Sequence, residues 1–352
     1  MEGTFDIQNF VAVGRLVAHG SVELCTLTVQ DGKASFDKGV SSRPDFEASF
    51  IEDLVNAHTH CGDYGLKIPE GMSLEELVAP PDGLKHRYLR GLSEDDLEHN
   101  MRSFSKASAC NGSAAFIDFR EGGAKGCKML RECSEDAVIL GRPISPEYDP
   151  DEMAEILSVA DGIGLPSITD MPLDYIESIA DHVRDSRKIF AIHASERIRE
   201  DIDTILSLDP TFIVHMCEAT DDDMAKCSEA EVPVVVCPTS NRYFGKESPV
   251  RRLLENGVDI ALGTDNGMLC EPDMIGESHV LADVLKGQGG DSDDVWRLLS
   301  TFPSKLLNRT IRMEYKTAER CLTVVPERQA GCTEKQRMLG GSFRIWMNRG
   351  VS

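Results

Sequence analysis

Four histidines and one aspartate close short apolar runs: His58 and His60 in Ala57-His58-Thr59-His60, His193 in His193-Ala194-Ser195-Glu196, His215 in Val214-His215, and Asp265 in Gly263-Thr264-Asp265-Asn266. Imidazoles and a carboxylate are the ligand types that a borderline divalent cation takes. In a strand, residues i and i+2 point to one face, so His58 and His60 direct two imidazoles toward one point. Taken alone, that pair is equally an accident of composition. His193 follows Ile189-Phe190-Ala191-Ile192, where an imidazole without partners is an awkward core residue, and it reads as a third ligand. Asp265 ends the run from Val258 as either a fourth ligand or the cap of a following helix. Three imidazoles and one carboxylate suit one divalent ion, Zn²⁺ first and Fe²⁺ second, and leave a position for water.

Such an ion lowers the pKa of its water from 15.7 toward ~7, and another group must carry the proton onward. Glu196 lies three residues beyond His193, where it can stand beside the ion as general acid and base; beside Arg197 and Glu200 it also reads as an ordinary helix-start glutamate. His215 is assigned to the attacking oxygen, as a donor that stabilises charge growing on a tetrahedral intermediate, with direct ligation as the alternative. His19, His99 and His182 have charged surroundings and read as solvated. His86 and His279 stay open. His86 follows Pro69 to Gly83, a stretch containing Pro80-Pro81-Asp82-Gly83 that reads as a long loop able to fold over the site.

The elements that must position these groups are strand-like runs alternating with helix-like segments: Leu54–His60, Ala114–Arg120, Ala137–Arg142, Gly162–Ile168, Lys188–Glu196, Thr211–Cys217, Val232–Asn241 and Val258–Asp265. Helix starts are marked by Ser93 with Asp96 and by Thr220 with Asp223. Eight apolar strands separated by amphipathic helices predict an α/β fold, a (β/α)8 TIM-like barrel, with a doubly wound sheet as the runner-up. Residues 1–50, with runs Phe10 to Val17 and Val22 to Val29 and a turn at Asp31-Gly32-Lys33, predict a small β appendage. The barrel spans 51–308, residues 309–326 are a candidate return to the β unit, and 327–352 an atypical basic tail expected to be weakly ordered.

The whole chain carries a formal charge of −23, although residues 302–352 contribute +6. A strongly acidic surface repels phosphate backbones and anionic lipids, so nucleic acid and membrane are not expected partners. The longest apolar stretches are far too short to span a bilayer, and the start lacks an export pattern, which points to the cytoplasm. Eleven cysteines without Cys-x-x-Cys spacing, with Cys110, Cys217 and Cys237 in or beside apolar runs, read as buried free thiols.

In this order the motifs resemble the amidohydrolase superfamily, specifically its one-metal branch of cytosine deaminase-like and chlorohydrolase-like enzymes, over about residues 50–308. His58-Thr59-His60 is similar to the family's first-strand His-x-His, His193 to Glu196 to its fifth-strand His-x-x-Glu, His215 to the histidine ending the sixth strand, and Thr264-Asp265 to the eighth-strand Thr-Asp. Cys237-Pro238-Thr239-Ser240-Asn241 is similar to the family's Pro-x-Ser-Asn segment, and Pro303-Ser304-Lys305-Leu306-Leu307 to its Pro-Ala-Lys-Leu helix. The resemblance implies His58, His60, His193 and Asp265 as ligands of a single metal, Glu196 as proton shuttle and His215 acting on the hydroxide. It also makes a homo-oligomer plausible. Glu52-Asp53 replaces the usual Pro-Gly, and Cys61-Gly62-Asp63-Tyr64 departs from the better-known deaminases, as in an uncharacterised archaeal-type branch.

Asp63, His86, Arg120, Glu121, Asn241 and Asn266 fall at predicted loop or strand ends and are the candidate substrate contacts; turn formation or surface ion pairing would explain each equally well. The expected activity is hydrolytic deamination of a small nitrogen heterocycle. Hydrolysis of a cyclic amide or of another C–N or C–Cl bond is the alternative reaction, and a non-catalytic metal-binding scaffold the alternative class.

Overall fold

The computed structural model describes residues 9–18, 21–31, 33–52, 54–78, 82–291, 295, 298, 299, 319–327 and 343–348. They form two compact units. In the first lie β1 (Phe10–Ala18), β2 (Ser21–Gln30), β3 (Lys33–Lys38) and β4 (Phe46–Glu52). The second begins with β5 (Val55–His60) and continues through α1 (Leu74–Val78), α2 (Leu84–Gly91), α3 (Glu94–Cys110), β6 (Ala115–Arg120), α4 (Gly123–Cys133), β7 (Ala137–Gly141), α5 (Pro150–Val159) and β8 (Gly162–Leu165). Then come α6 (Leu173–Asp185), β9 (Ile189–Ala194), α7 (Ile202–Ser207), β10 (Phe212–His215), α8 (Asp221–Glu229), β11 (Val234–Val236), α9 (Pro238–Tyr243), α10 (Val250–Glu255), β12 (Ile260–Leu262), β13 (Asp265–Asn266) and α11 (Met274–Gly287). The first unit ends with β14 (Glu319–Pro326) and β15 (Phe343–Asn348).

The second unit is built on a curled nine-stranded sheet in the order β12-β11-β10-β9-β8-β7-β6-β5-β13, as a TIM-like barrel requires. Each strand from β5 to β8 is buried at every position, because apolar helices cover one face and the strands' own side chains fill the other. The sheet's two edge strands are successive pieces of one chain segment: β12 pairs with β11 and β13 with β5. Gly263 between them cannot carry a side chain, since a Cβ there would stand 2.8 Å from the His58 nitrogen. Asn56 and Thr264 clamp the same junction by exchanging two hydrogen bonds of 2.7 and 3.0 Å. The carboxyl ends of the parallel strands, and with them His60, Arg120, His193, His215 and Asp265, therefore reach a common rim.

Helix α6 buries Tyr175, Ile176, Ile179, Ala180 and Val183, the stripe of a 3.6-residue period. Helix α8 starts in a capping box, with Thr220 Oγ1 accepting from the Asp223 nitrogen and the Asp223 carboxylate accepting from the Thr220 nitrogen. Asp223 also takes a two-pronged hydrogen bond from Arg199.

Some expected boundaries shift for local reasons. The run Val232–Asn241 yields only a three-residue strand, because Pro238 occupies the first turn of α9 and carries Asn241 onto that helix. The loop expected over 69–83 contains α1, whose start is a capping box of Ser73 and Glu76. Cys110, expected to be buried, is exposed.

The first unit is a six-stranded sheet, β15-β14-β4-β1-β2-β3, with β1 parallel to β4 and the other pairings antiparallel. Phe10, Leu27, Phe46, Phe50, Leu322 and Val324 form its core. The tail expected over 327–352 contains β15, paired with β14 from Phe343 to Asn348. The Pro303–Leu307 segment, residues 309–318 and the rest of the tail beyond Glu327 lie outside the described residues.

Two substitutions test how the strand-to-helix connections are held. Thr220→Ala removes one half of the capping box and is expected to cost about 1 kcal/mol. Gly126→Ala places a Cβ 2.0 Å from the Glu121 carbonyl oxygen and is expected to cost more than the cap; urea unfolding followed by circular dichroism ranks the two.

Candidate metal centre and active site

Five side chains from distant strands meet at the rim. His58 Nε2 lies 3.2 Å from both His193 Nε2 and Asp265 Oδ1, and His60 Nε2 lies 3.6 Å from the same Asp265 oxygen. Ligand atoms of His58, His60 and His193, and separately of His58, His215 and Asp265, all fall within 4.8 Å of one another. Tautomers follow from the other ring nitrogens. His193 Nδ1 donates to the Leu165 carbonyl at 2.7 Å and His60 Nδ1 to that of Phe119 at 3.3 Å, so both present a lone pair on Nε2 to the centre.

Burial pushes His58 and His215 down to about 4 and His193 well below the ordinary histidine range, and neighbouring imidazoles add to the effect. The rings are thus neutral, the state in which imidazole ligates. Burial opposes ionisation of Asp265, but its hydrogen bond to His58 and the surrounding rings hold it well below the usual carboxylate value. Ser240 Oγ donates to its second oxygen at 2.6 Å. His58 Nδ1 is buried without a hydrogen-bond partner. Neutral nitrogens aimed at one another at 3.2 Å, with an anionic oxygen beside them and one nitrogen orphaned, fit a divalent cation better than they fit a hydrogen-bond network.

Glu196 and His215 stand at the edge of this cluster, with Glu196 Oε1 3.7 Å from His215 Nε2. Burial, reinforced by the Asp265 charge, pushes the Glu196 carboxyl up to about 8. Asn241 Oδ1 accepts from Ser248 Oγ at 2.8 Å, which turns the Asn241 amide nitrogen toward His215 Nδ1 at 3.2 Å. That nitrogen therefore accepts, and the His215 proton sits on Nε2, facing Glu196. Ser195, His215, Met216 and Asp265 all take left-handed backbone conformations, with φ of 49°, 81°, 59° and 62°. Non-glycine residues held there store strain that clusters at functional sites.

A pocket opens over the cluster, lined among others by His60, His86, Glu121, Glu196, His215, Asp265 and Asn266. Of the six candidate substrate contacts, His86, Glu121 and Asn266 lie on its wall. Asp63, Arg120 and Asn241 do not: each is buried behind it, Asp63 bonded to the Met268 nitrogen, Arg120 paired with Glu121 and Asp118, and Asn241 orienting His215. His86 Nε2 donates to the Val78 carbonyl at 3.0 Å, and burial holds the ring neutral, its pKa lowered to about 4.

Lys85 was missed by the sequence reading. Although it sits in the basic run Leu84-Lys85-His86-Arg87, it is 4% exposed. Its ammonium lies 3.0 Å from Asn266 Oδ1, 3.1 Å from Glu121 Oε1 and 3.5 Å from Asp63 Oδ2. Burial works against this charge, yet the Glu121 and Asp63 carboxylates raise its pKa. Glu121 in turn is held well below the usual range by Lys85 and Arg120, against the opposing effect of burial. The period of α2 would have shown Lys85 on the inward face only if that face had been known.

A model of the amidohydrolase family matches residues 136–313. The chain belongs to that family. A putative aminohydrolase of Archaeoglobus fulgidus is 34% identical over 273 residues, 76% of this chain and 78% of that protein. Among solved structures, an adenosine deaminase from Xanthomonas campestris with bound zinc superimposes with a TM-score of 0.70 at 17% identity, over 95% of this chain and 89% of that one. A guanine deaminase from C. acetobutylicum superimposes with a TM-score of 0.67 at 13% identity, over 89% and 90%. These likenesses carry the fold, and the amidohydrolase family as a whole supports a hydrolase acting on C–N bonds.

If the converging groups hold a cation, His193→Ala and Asp265→Ala should each lower zinc bound per chain at least tenfold after equilibrium dialysis, whereas His86→Ala should not. Elemental analysis of the dialysed, folded variants reads the difference.

Proposed function

We propose that this chain is a metal-dependent aminohydrolase of the cytosine deaminase-like branch, which releases ammonia from an amidine-like carbon of a nitrogen heterocycle. The observation that carries the reading is the convergence of His58, His60, His193 and Asp265 beside a buried carboxyl, Glu196, whose pKa is pushed up to about 8, near the working pH of a proton shuttle. The name putative aminohydrolase of the archaeal relative supports it, as do the deaminase titles of the two structures. The zinc in one of those structures supports zinc as the ion.

His58, His60, His193 and Asp265 would hold the ion, which supplies Lewis-acid activation of a water molecule. The chain's own groups then divide the work. His215, with Asn241 fixing its Nδ1, directs an Nε2–H toward the attacking oxygen and stabilises the charge that grows on the substrate side. Glu196 takes the first water proton on its carboxylate and passes it to the ring nitrogen, then takes the proton of the added hydroxyl and delivers it to the departing amine. Water and the amidine are consumed, and ammonia and a ring carbonyl are formed, so the glutamate ends as it began. Its raised pKa suits this traffic, because a shuttle works best when its pKa lies near the working pH. His86, Glu121 and Asn266 on the pocket wall are the groups placed to read the heterocycle.

The test is ammonia release by the zinc-loaded protein across purines, pyrimidines, pterins and triazines. At least one ring is expected to release ammonia, and Glu196→Gln should lower that rate by about 10² or more while zinc content is unchanged. Turnover of none of them, or a Gln variant as active as the wild type, would end this reading.

A further inference from the structure

Among the described residues, three cationic side chains line the pocket: Lys85, Arg142 and Arg197. Lys85 is tied to Glu121, Asn266 and Asp63, and Arg197 to Asp170. Arg142 is different. Its main chain is pinned at the end of β7, the nitrogen donating to the Arg120 carbonyl at 2.9 Å and the carbonyl accepting from Gly123 at 3.2 Å. Its guanidinium has no ion pair and no hydrogen bond with any described residue, and its nitrogens are not sealed from solvent.

A guanidinium has five N–H donors and never deprotonates in the working range, so removing it from bulk water without a partner is costly. Burial is the main influence on Arg142 and pulls its pKa down, with Glu121 and Asp170 opposing. Neither carboxylate is free to pair with it: Glu121 is already neutralised by Arg120 and Lys85, and Asp170 by Arg197. Other polar groups on this part of the wall satisfy one another. Ser167 Oγ donates to Asp170 and meets Thr169 Oγ1 at 2.8 Å, and His86 spends its N–H on Val78. An incoming anion thus meets a compensated wall with a single unspent cation, fixed at its root and shaped for two parallel hydrogen bonds to an oxyanion.

We propose that Arg142 is a substrate-binding residue, and that the heterocycle this chain hydrolyses carries a carboxylate or phosphate that pairs with its guanidinium. The inference rests on the aminohydrolase reading only for what happens at the other end of the pocket; the anion site stands on Arg142 and its surroundings. It narrows the substrate class from any amidine-bearing ring to an anionic one.

Binding, rather than turnover, tests it. Zinc-loaded wild type, Arg142→Met and Arg142→Lys are titrated calorimetrically with matched pairs: orotate and uracil, pterin-6-carboxylate and pterin, adenosine 5′-monophosphate and adenosine. In at least one pair the anion is expected to bind the wild type at least tenfold more tightly than its neutral partner. Arg142→Met, checked for fold by circular dichroism, should bring that ratio to within about twofold, and Arg142→Lys should restore part of it. Preference in the carboxylate pairs or in the phosphate pair identifies which oxyanion is read. No preference in any pair, or a preference that survives in Arg142→Met, overturns the inference. An Arg142-dependent preference without ammonia release from any ring would defeat the aminohydrolase reading alone. Ammonia release from neutral rings without such a preference would defeat this inference alone.

Discussion

One carboxylate oxygen organises the reactive end of this molecule. Asp265 Oδ1 lies within 3.6 Å of imidazole nitrogens from both histidines of β5, while its other oxygen is held by Ser240 from α9. The same residue opens β13, the short strand that pairs with β5 and brings the end of the sheet back to its beginning. Closure of the sheet and assembly of the cluster are therefore a single geometric event. A shift of the Gly263–Asn266 segment would uncouple both, which is why that segment has a glycine against the His58 backbone and a two-way bond between Thr264 and Asn56.

Electrostatics separate the buried carboxyls of the site into those held ionised and those pushed toward the neutral form. On the wall Glu121 is matched by Lys85 and Arg120, which hold it well below the usual carboxylate range against burial. Burial outweighs the nearby Asp265 charge at His58 and His215, and at His193 the neighbouring rings add to it, so these three imidazoles stay neutral. At Glu196, burial and the nearby Asp265 charge outweigh the pull of Arg197 and His60. The contrast between Glu121, driven down, and Glu196, driven up, supports the proposed proton-transfer role of Glu196 without reference to any substrate.

Much of this was legible in the sequence because it depends on local pattern. Continuous apolar runs marked the strands, since a parallel strand covered on both faces needs no polar alternation, and a histidine or aspartate closing such a run had to lie at a strand end. What the pattern could not supply was the side of the wall a strand-end residue occupies. Arg120 and Glu121 are neighbours, yet Arg120 turns inward against Asp118 and Glu121 reaches the pocket. Asp63 and Asn241 were read as substrate contacts, and the structure places them one layer behind. Lys85 escaped notice for the opposite reason: a basic residue in a polar stretch is solvated by default, and only tertiary packing moved it inside. Arg142 does close an apolar run, but pattern alone leaves a long arginine at a strand end free to reach solvent.

The left-handed backbones of Ser195, His215, Met216 and Asp265 left no mark in the sequence, because none of them is a glycine. Each conformation costs of order 1–3 kcal/mol, and all four sit where β9, β10 or β13 borders the pocket cluster. An extended strand would carry His215 and Asp265 straight past the rim; the turn to positive φ bends their side chains back over it. The surrounding hydrogen bonds, Asn241 to His215 and Ser240 to Asp265, hold each side chain once it has turned. The two residues of α9 that do this come from the Pro-Thr-Ser-Asn run, so the helix that cut short the seventh strand of the sequence reading is the element that locks the strained residues in place.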